Sequence, residues 1–122
     1  MTDLMRDIQE FHEKFGLEYN GPPRNLPSDL EQFRTDFMRE ELAEYQTTHM
    51  KAKKLDALVD LVYVAIGTAY LHGFDFNEAW RRVHEANMKK VRAKRADQSK
   101  RGSTYDVVKP PGWQPPNLID LV

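Results

Sequence analysis

The sequence predicts an all-α fold, an antiparallel four-helix bundle-like domain followed by an extended C-terminal tail over residues 96–122. Three observations carry that expectation. Apolar residues recur at steps of three and four in successive segments, the period of a helix with one buried face. Almost no stretch alternates apolar and polar residues as a half-buried strand does. Proline, glycine and asparagine gather between the periodic segments and after the last one, where turns and loops belong. At 122 residues the chain is expected to form one domain, 1–122, with a single core.

Each element has its own signal. Over residues 3–15, Leu4, Ile8, Phe11 and Phe15 place one apolar stripe on a first helix. The stretch GLEYNGPPRNLP then reads as a loop. Ser28-Asp29-Leu30-Glu31 has the spacing of a capping box, in which the serine and glutamate satisfy each other's free amides, so a second helix should run from about Asp29 to Thr47. A third should start near Lys51 and stop at His72-Gly73, with Gly73 as a left-handed cap. Asp75 to Glu78 repeats the capping spacing, and a fourth helix should pass through Trp80 to about Lys94. The remaining residues hold Gly102, Gly112, Pro110, Pro111, Pro115 and Pro116, hence the extended tail. Short loops favour antiparallel neighbours.

Composition narrows the class. Hydrophobic residues are 40% and charged residues 30%, as in a soluble globular protein. A net charge of −1 points to neither a nucleic-acid partner nor a membrane surface. The chain has no cysteine, which rules out disulfides and thiolate metal sites and suits a cytoplasmic location. The N-terminal stretch is charged throughout, without the apolar core of a signal segment. The longest apolar run, Ala57 to Leu71, contains Asp60 and falls short of the ~20 residues of a membrane span.

Chemistry is expected where the apolar stripes are interrupted. On the second helix Leu30, Phe33 and Phe37 define the inward stripe, and continuing it at about 100° per residue brings Glu41 and Glu44 onto the same face, with Glu40 on the flank. Carboxylates placed inward must pair or become neutral. The third helix, LDALVDLVYVAIGTAYL, is apolar nearly all round, as a central or interface helix is, yet it carries Asp56 and Asp60 one turn apart. Where the two acidic turns meet, oxygen ligands converge into a site for a hard divalent cation, Mg²⁺ or Mn²⁺. On the fourth helix the stripe of Phe76, Trp80 and Val83 continues into Asn87, Lys90 and Lys94. An amide and lysines facing an acidic metal cluster suit a polyphosphate substrate.

Plainer readings stand beside these. Glu40, Glu41 and Glu44 form a run of the kind usually solvated, Asp60 alone could be a buried hydrogen-bonded aspartate, and Asn87 alone a structural amide. His12, His49, His72 and His84 show no ligand spacing and are expected at the surface or at helix ends. The basic run KKVRAKRADQSKR, residues 89–101, could be a nucleic-acid patch, but it lacks interleaved aromatics.

The segments EELAEY, LDALVDLVYVAIGTAYLHGFD and VHEANMKKV together resemble the MazG-like branch of the all-α nucleoside triphosphate pyrophosphohydrolases, in its short single-domain form. FHEKFGL and KPPGWQPPNL extend the resemblance toward both ends. That family's signature is E-x-x-E on one helix and E-x-x-D on the next. Glu41 and Glu44 match the first half and Asp60 the final aspartate, whereas Ala57 stands where glutamate is expected and Asp56 is the nearest substitute.

The resemblance implies hydrolysis between the α- and β-phosphates of a nucleoside triphosphate to monophosphate and pyrophosphate. It implies Mg²⁺ (or Mn²⁺) on Glu41, Glu44, Asp56 and Asp60, and Glu40 or Glu41 as the base acting on water. It implies Asn87, Lys90 and Lys94 at the substrate phosphates, with Lys109 a further candidate. It also implies a homodimer or homotetramer, with no membrane or nucleic-acid partner. Phosphoribosyl-ATP, dUTP or a modified nucleotide are narrower substrate readings. Phe11, Phe15, Phe33, Arg34 and Trp80 are candidates for the base pocket. A non-catalytic nucleotide- or metal-binding module is the alternative that Ala57 favours. The tail with Trp113 is expected to cover the site or clamp a neighbouring subunit.

Overall fold

A computed structural model describes residues 3–122. Four α-helices dominate it: α1 Leu4–Lys14, α2 Ser28–Thr47, α3 Lys51–His72 and α4 Phe76–Asn87. The strands are only two residues each, β1 Val91–Arg92 and β2 Val107–Val108. The described residues divide into two compact units, residues 3–76 with 121–122, and residues 77–120.

The first unit is built on α3, which packs against both α1 and α2. Ile8, Leu26, Ile66, Tyr70 and Leu71 form its buried apolar cluster. Asp3 caps α1 by accepting the Arg6 amide at 3.1 Å. At the start of α2 the expected capping box does not form. The helix begins one residue earlier, with Pro27 as its cap, and the Glu31 amide bonds the Pro27 carbonyl at 2.8 Å instead of the Ser28 hydroxyl. Proline at this point already fixes an extended backbone ahead of the first turn, so a side-chain cap is dispensable.

Helices α2 and α3 are joined by a three-residue turn and run antiparallel. Lys54 reaches the Tyr45 carbonyl at 2.9 Å near the turn, and Arg34 reaches Val64 at 2.8 Å farther along. Gly73 closes α3 in the left-handed conformation, φ 76°, as the sequence predicts. By length and composition α3, at 22 residues, is long and apolar enough to cross a membrane, a correction to the shorter run counted from Ala57. Its apolar character already serves the unit, since Ala57, Val64, Ile66, Tyr70 and Leu71 are buried there.

The second unit holds a further correction. Helix α4 stops at Asn87 and does not reach Lys94. No glycine or proline ends it. The Trp113 indole N–H donates to the Ala86 carbonyl at 2.7 Å, taking up one of the last-turn acceptors. The chain then turns through Met88–Lys90 into β1, which pairs antiparallel with β2 in the register Val91 to Val108 and Arg92 to Val107. Asp106 organises the connection. It accepts from Ser99 Oγ at 2.6 Å and from Arg101 Nη1 at 2.9 Å, while its carbonyl takes the Ala93 amide. Near the end of the chain, Arg82 on α4 makes a two-pronged contact with Asp120 at 2.6 and 3.0 Å.

Candidate active site

The inward face of α2 differs from the stripe drawn on the sequence. Arg34 and Glu41 are the buried positions, while Phe33 is 60% exposed. Helical phase therefore runs Leu30, Arg34, Phe37, Glu41, rotated slightly from the aromatic side chains that suggested it. Glu41 stays inward under either phase. Glu44 moves to the exposed edge, and Glu40 lies exposed beside them.

Across the helix pair stands Asp60, half-buried on α3. One carboxylate oxygen from each of Glu41, Glu44 and Asp60 lies within 4.8 Å of the others. Asp56, expected as a ligand, is exposed one turn earlier and outside this convergence, although its charge still acts on Asp60. Ala57 is buried at 2% exposure, so a methyl group occupies the place where the signature expects a carboxylate.

Electrostatics make the cluster unstable when left to itself. Burial raises the Glu41 carboxyl to about 7, and the neighbouring charges of Glu44, Asp60 and Glu40 add to the rise. Burial likewise raises Asp60, followed by the charges of Asp56 and Glu44. Glu41 Oε2 is buried and has no hydrogen-bond partner among the described residues. A buried carboxylate oxygen without a donor is costly, and a hard cation satisfies such an oxygen directly. The donor set is all oxygen, the chemistry that Mg²⁺ and Mn²⁺ select. These residues fit the ion.

Two turns along the same helix pair lies a polar knot that the sequence pattern concealed. Arg34 is 8% exposed; its Nη2 donates to the Val64 carbonyl at 2.8 Å and its Nε to Thr68 Oγ1 at 3.1 Å. His12, expected at the surface or at a helix end, is in the last turn of α1 but only 2% exposed; it bonds the Leu17 carbonyl at 3.1 Å and lies against Tyr70, the two rings tilted by 35° with centroids 4.7 Å apart. Burial lowers its pKa, with the Arg34 charge adding to the effect and the Leu17 bond opposing it. Both side chains close over Gly67, where a Cβ would stand 2.6 Å from Arg34 Nη2 and 3.0 Å from His12 Nε2. The signal available in the sequence was Gly67 itself, a glycine inside a helix, where close approach of a neighbour is the usual reason for it. Arg34 to Glu41 and Gly67 to Asp60 are both seven residues, so the knot and the carboxylates share one helix seam.

In the second unit Asn87 is the exposed last residue of α4. Lys90 follows in the turn, its ammonium 5.2 Å from the Trp113 ring centre. Lys94 lies exposed beyond β1, its amide bonded to Gln98 Oε1 at 2.8 Å. These three do not form one helical stripe, because the helix that would align them ends at the first.

An antiparallel helix pair with E-x-x-E facing an aspartate, within an all-α chain, defines the class of the MazG-like all-α nucleoside triphosphate pyrophosphatases. Residues 8–87 match the family described as Phosphoribosyl-ATP pyrophosphohydrolase. The chain belongs to that family, whose members are hydrolases of phosphoanhydrides. No curated protein sequence matches the chain.

Proposed function

We propose that this protein is a metal-dependent pyrophosphohydrolase that cleaves the α–β phosphoanhydride of a nucleoside triphosphate, releasing the monophosphate and pyrophosphate. The observation that carries the reading is the convergence of Glu41, Glu44 and Asp60 around an unpartnered buried oxygen in a chain of this family. Glu41, Glu44 and Asp60 would hold Mg²⁺ or Mn²⁺, with Asp56 adjoining. When bound, the ion supplies positive charge against the phosphate oxygens and lowers the pKa of water. Glu40, exposed at the rim, takes the proton from the attacking water. The water oxygen bonds to the α-phosphorus as the bridging P–O bond breaks, and the electron pair leaves with pyrophosphate.

The family description favours phosphoribosyl-ATP as the particular substrate, since its triphosphate presents the same α–β bond. Pairing of chains into a homodimer or homotetramer belongs to the same proposal. It is supported by an apolar groove of about 300 Å³ lined by Leu4, Leu58, Val59 and Val62. Solvent-facing apolar surface of that kind marks an interface.

The test is pyrophosphate release from phosphoribosyl-ATP and a panel of NTPs and dNTPs, with Mg²⁺, Mn²⁺ or chelator, beside Glu41→Gln and Asp60→Asn. Release that needs metal and is lost in both folded variants is expected. Turnover that survives chelator, or survives both substitutions, overturns the assignment, and binding without any turnover returns the chain to a non-catalytic module.

A further inference from the structure

The net charge of −1 conceals two oppositely charged parts of the chain. Residues 77–120, the second unit, carry ten lysines and arginines against five aspartates and glutamates, while the remaining residues carry eight against fourteen. An asymmetry of that kind points to nucleic acid or an anionic membrane surface as a partner. Lys90, Lys94 and Lys109 belong, by the family resemblance, to the substrate phosphates. The other cations beyond α4 include Arg92, Arg95, Lys100 and Arg101, on the β1–β2 hairpin and its connection, past the family match that ends at Asn87. We propose that this hairpin binds a single strand of nucleic acid, stacking a base on Tyr105 and holding phosphates with those four cations.

Tyr105 is the aromatic that the basic run lacks along its own sequence. It is 94% exposed, although a tyrosine ring gains most by burying its apolar body. Looseness does not explain that exposure, because the turn carrying the ring is bonded throughout. The Tyr105 amide donates to Ser103 Oγ at 3.0 Å, the Asp106 amide to the Ser103 carbonyl at 3.4 Å, and the Val107 amide to Asp106 Oδ1 at 2.9 Å. Two guanidinium groups are fixed on the residues flanking the ring. Arg92 Nε donates to the Thr104 carbonyl at 2.8 Å, and Arg101 Nη1 donates to the Asp106 carboxylate at 2.9 and 3.0 Å. The bonds from Ser99 and Arg101 hold Asp106 below the usual carboxylate range, so this anchor stays charged.

The arginines are positioned without being used up. Among the described residues Arg92 and Arg95 are each held through Nε and Arg101 through Nη1, leaving the rest of each fork for phosphate oxygens, whose geometry it matches. Base faces stack on an open aromatic ring whatever the base, and cations on both sides of the ring follow the backbone. A duplex hides its base faces, so the ring selects a single strand. Neither stacking nor phosphate contact reads the sugar, so RNA and DNA strands should bind alike. An acidic protein segment would use the arginines and leave the ring idle. A membrane surface needs an apolar face beside the cations, whereas here the ring stands among Ser103, Thr104 and Asp106.

The test uses the full chain in chelator, so that metal at the carboxylate cluster holds no phosphate. Fluorescein-labelled oligothymidylate and oligouridylate without terminal phosphates are titrated by fluorescence anisotropy. Saturable binding of both is expected. Four phosphate contacts on a single strand predict a slope of log K against log salt of about −2 to −3, a loss of about 15- to 60-fold between 50 and 200 mM. Tyr105→Leu should weaken binding at least about fivefold, and Tyr105→Phe should keep it. Lys100→Gln should weaken it and flatten the slope, while Lys51→Gln with Lys53→Gln, which remove charge from the first unit, should change nothing. Absence of binding at 50 mM salt, unaltered binding by Tyr105→Leu, or equal loss in the Lys51 and Lys53 variant overturns the proposal. So does duplex DNA bound as tightly as the single strand. Polyglutamate or anionic lipid vesicles that compete as well as unlabelled oligonucleotide overturn it too, reassigning the surface to an acidic protein or a membrane. Pyrophosphate release should be unchanged in Tyr105→Leu and strand binding unchanged in Glu41→Gln, so the failure of either reading is seen apart from the other.

Discussion

Replacing Gly67 by alanine sets two known effects against each other at one atom. Alanine in a helix interior is favoured over glycine by about 1 kcal/mol, so an open position would be stabilised. Here the added Cβ would stand 2.6 Å from Arg34 Nη2 and 3.0 Å from His12 Nε2, too close for either to remain. Arg34 is a flexible side chain, but its end is buried and holds Val64 and Thr68 by two hydrogen bonds. Burial already pulls its pKa down, a sign that the charge is poorly solvated where it lies. Losing one charged hydrogen bond costs about 1.5–3 kcal/mol, and disturbing both with only partial rehydration costs about 2–4 kcal/mol. The net result is a loss of about 1–3 kcal/mol, a fall in Tm of roughly 5–10 °C for a chain of this size. Urea unfolding followed by far-UV circular dichroism, at fixed protomer concentration, measures it. The shared seam adds a second readout, because pushing α2 from α3 at Gly67 also spreads Glu41 from Asp60, so half-maximal activation should need more Mg²⁺. A variant as stable as the parent, or more stable, would show that Arg34 swings free at no cost and that helix propensity alone decides the position.

Four further outcomes follow from the same geometry. In chelator, the raised Glu41 pKa means that the folded chain binds more protons than the unfolded one, so stability should fall as pH rises from about 4.5 through about 7 and then level off; denaturation at stepped pH checks the sign, and a rise over that window would contradict it. Glu41→Gln should raise metal-free stability at pH 8 while abolishing the thermal stabilisation by Mg²⁺, seen by scanning with and without the ion. Ala57→Glu should cost about 2–4 kcal/mol in chelator, because it buries a carboxylate between packed helices, with part of the loss restored by Mn²⁺. Arg82→Ala should loosen the end of the chain by breaking its contacts with Asp120 and Asn117, read as faster proteolysis of the last residues with α4 intact.

Much of the site was legible because Glu41 and Asp60 contradict their own helices. A charge on an apolar stripe shows in the sequence wherever the stripe is long enough to set its phase, and α3 with its Gly73 cap is such a helix. Phase on α2 was less secure. Phe33 drew the stripe toward itself, while the chain turns Arg34 inward and places Glu44 at the rim, because the inner surface of α3 offers backbone and hydroxyl acceptors at Val64 and Thr68. The end of α4 left no local mark. It depends on Trp113, 27 residues away, and on a strand pair whose members are separated by a connection that Asp106 closes. Pairings of that range reward particular side chains rather than periodicity, so Lys90 and Lys94 read as helical when they are not. Likewise His12 is buried through partners on other segments, Leu17 and Tyr70, that spacing along its own helix does not reveal.

The central claim is that Glu41, Glu44 and Asp60 direct attack on the α-phosphorus. It is tested most directly by following turnover in ¹⁸O-labelled water by ³¹P NMR, with Mg²⁺ present. The account predicts label in the nucleoside monophosphate alone, unlabelled pyrophosphate as the other product, and no turnover by Glu41→Gln. Inorganic phosphate with a nucleoside diphosphate, or label in the pyrophosphate, would contradict it.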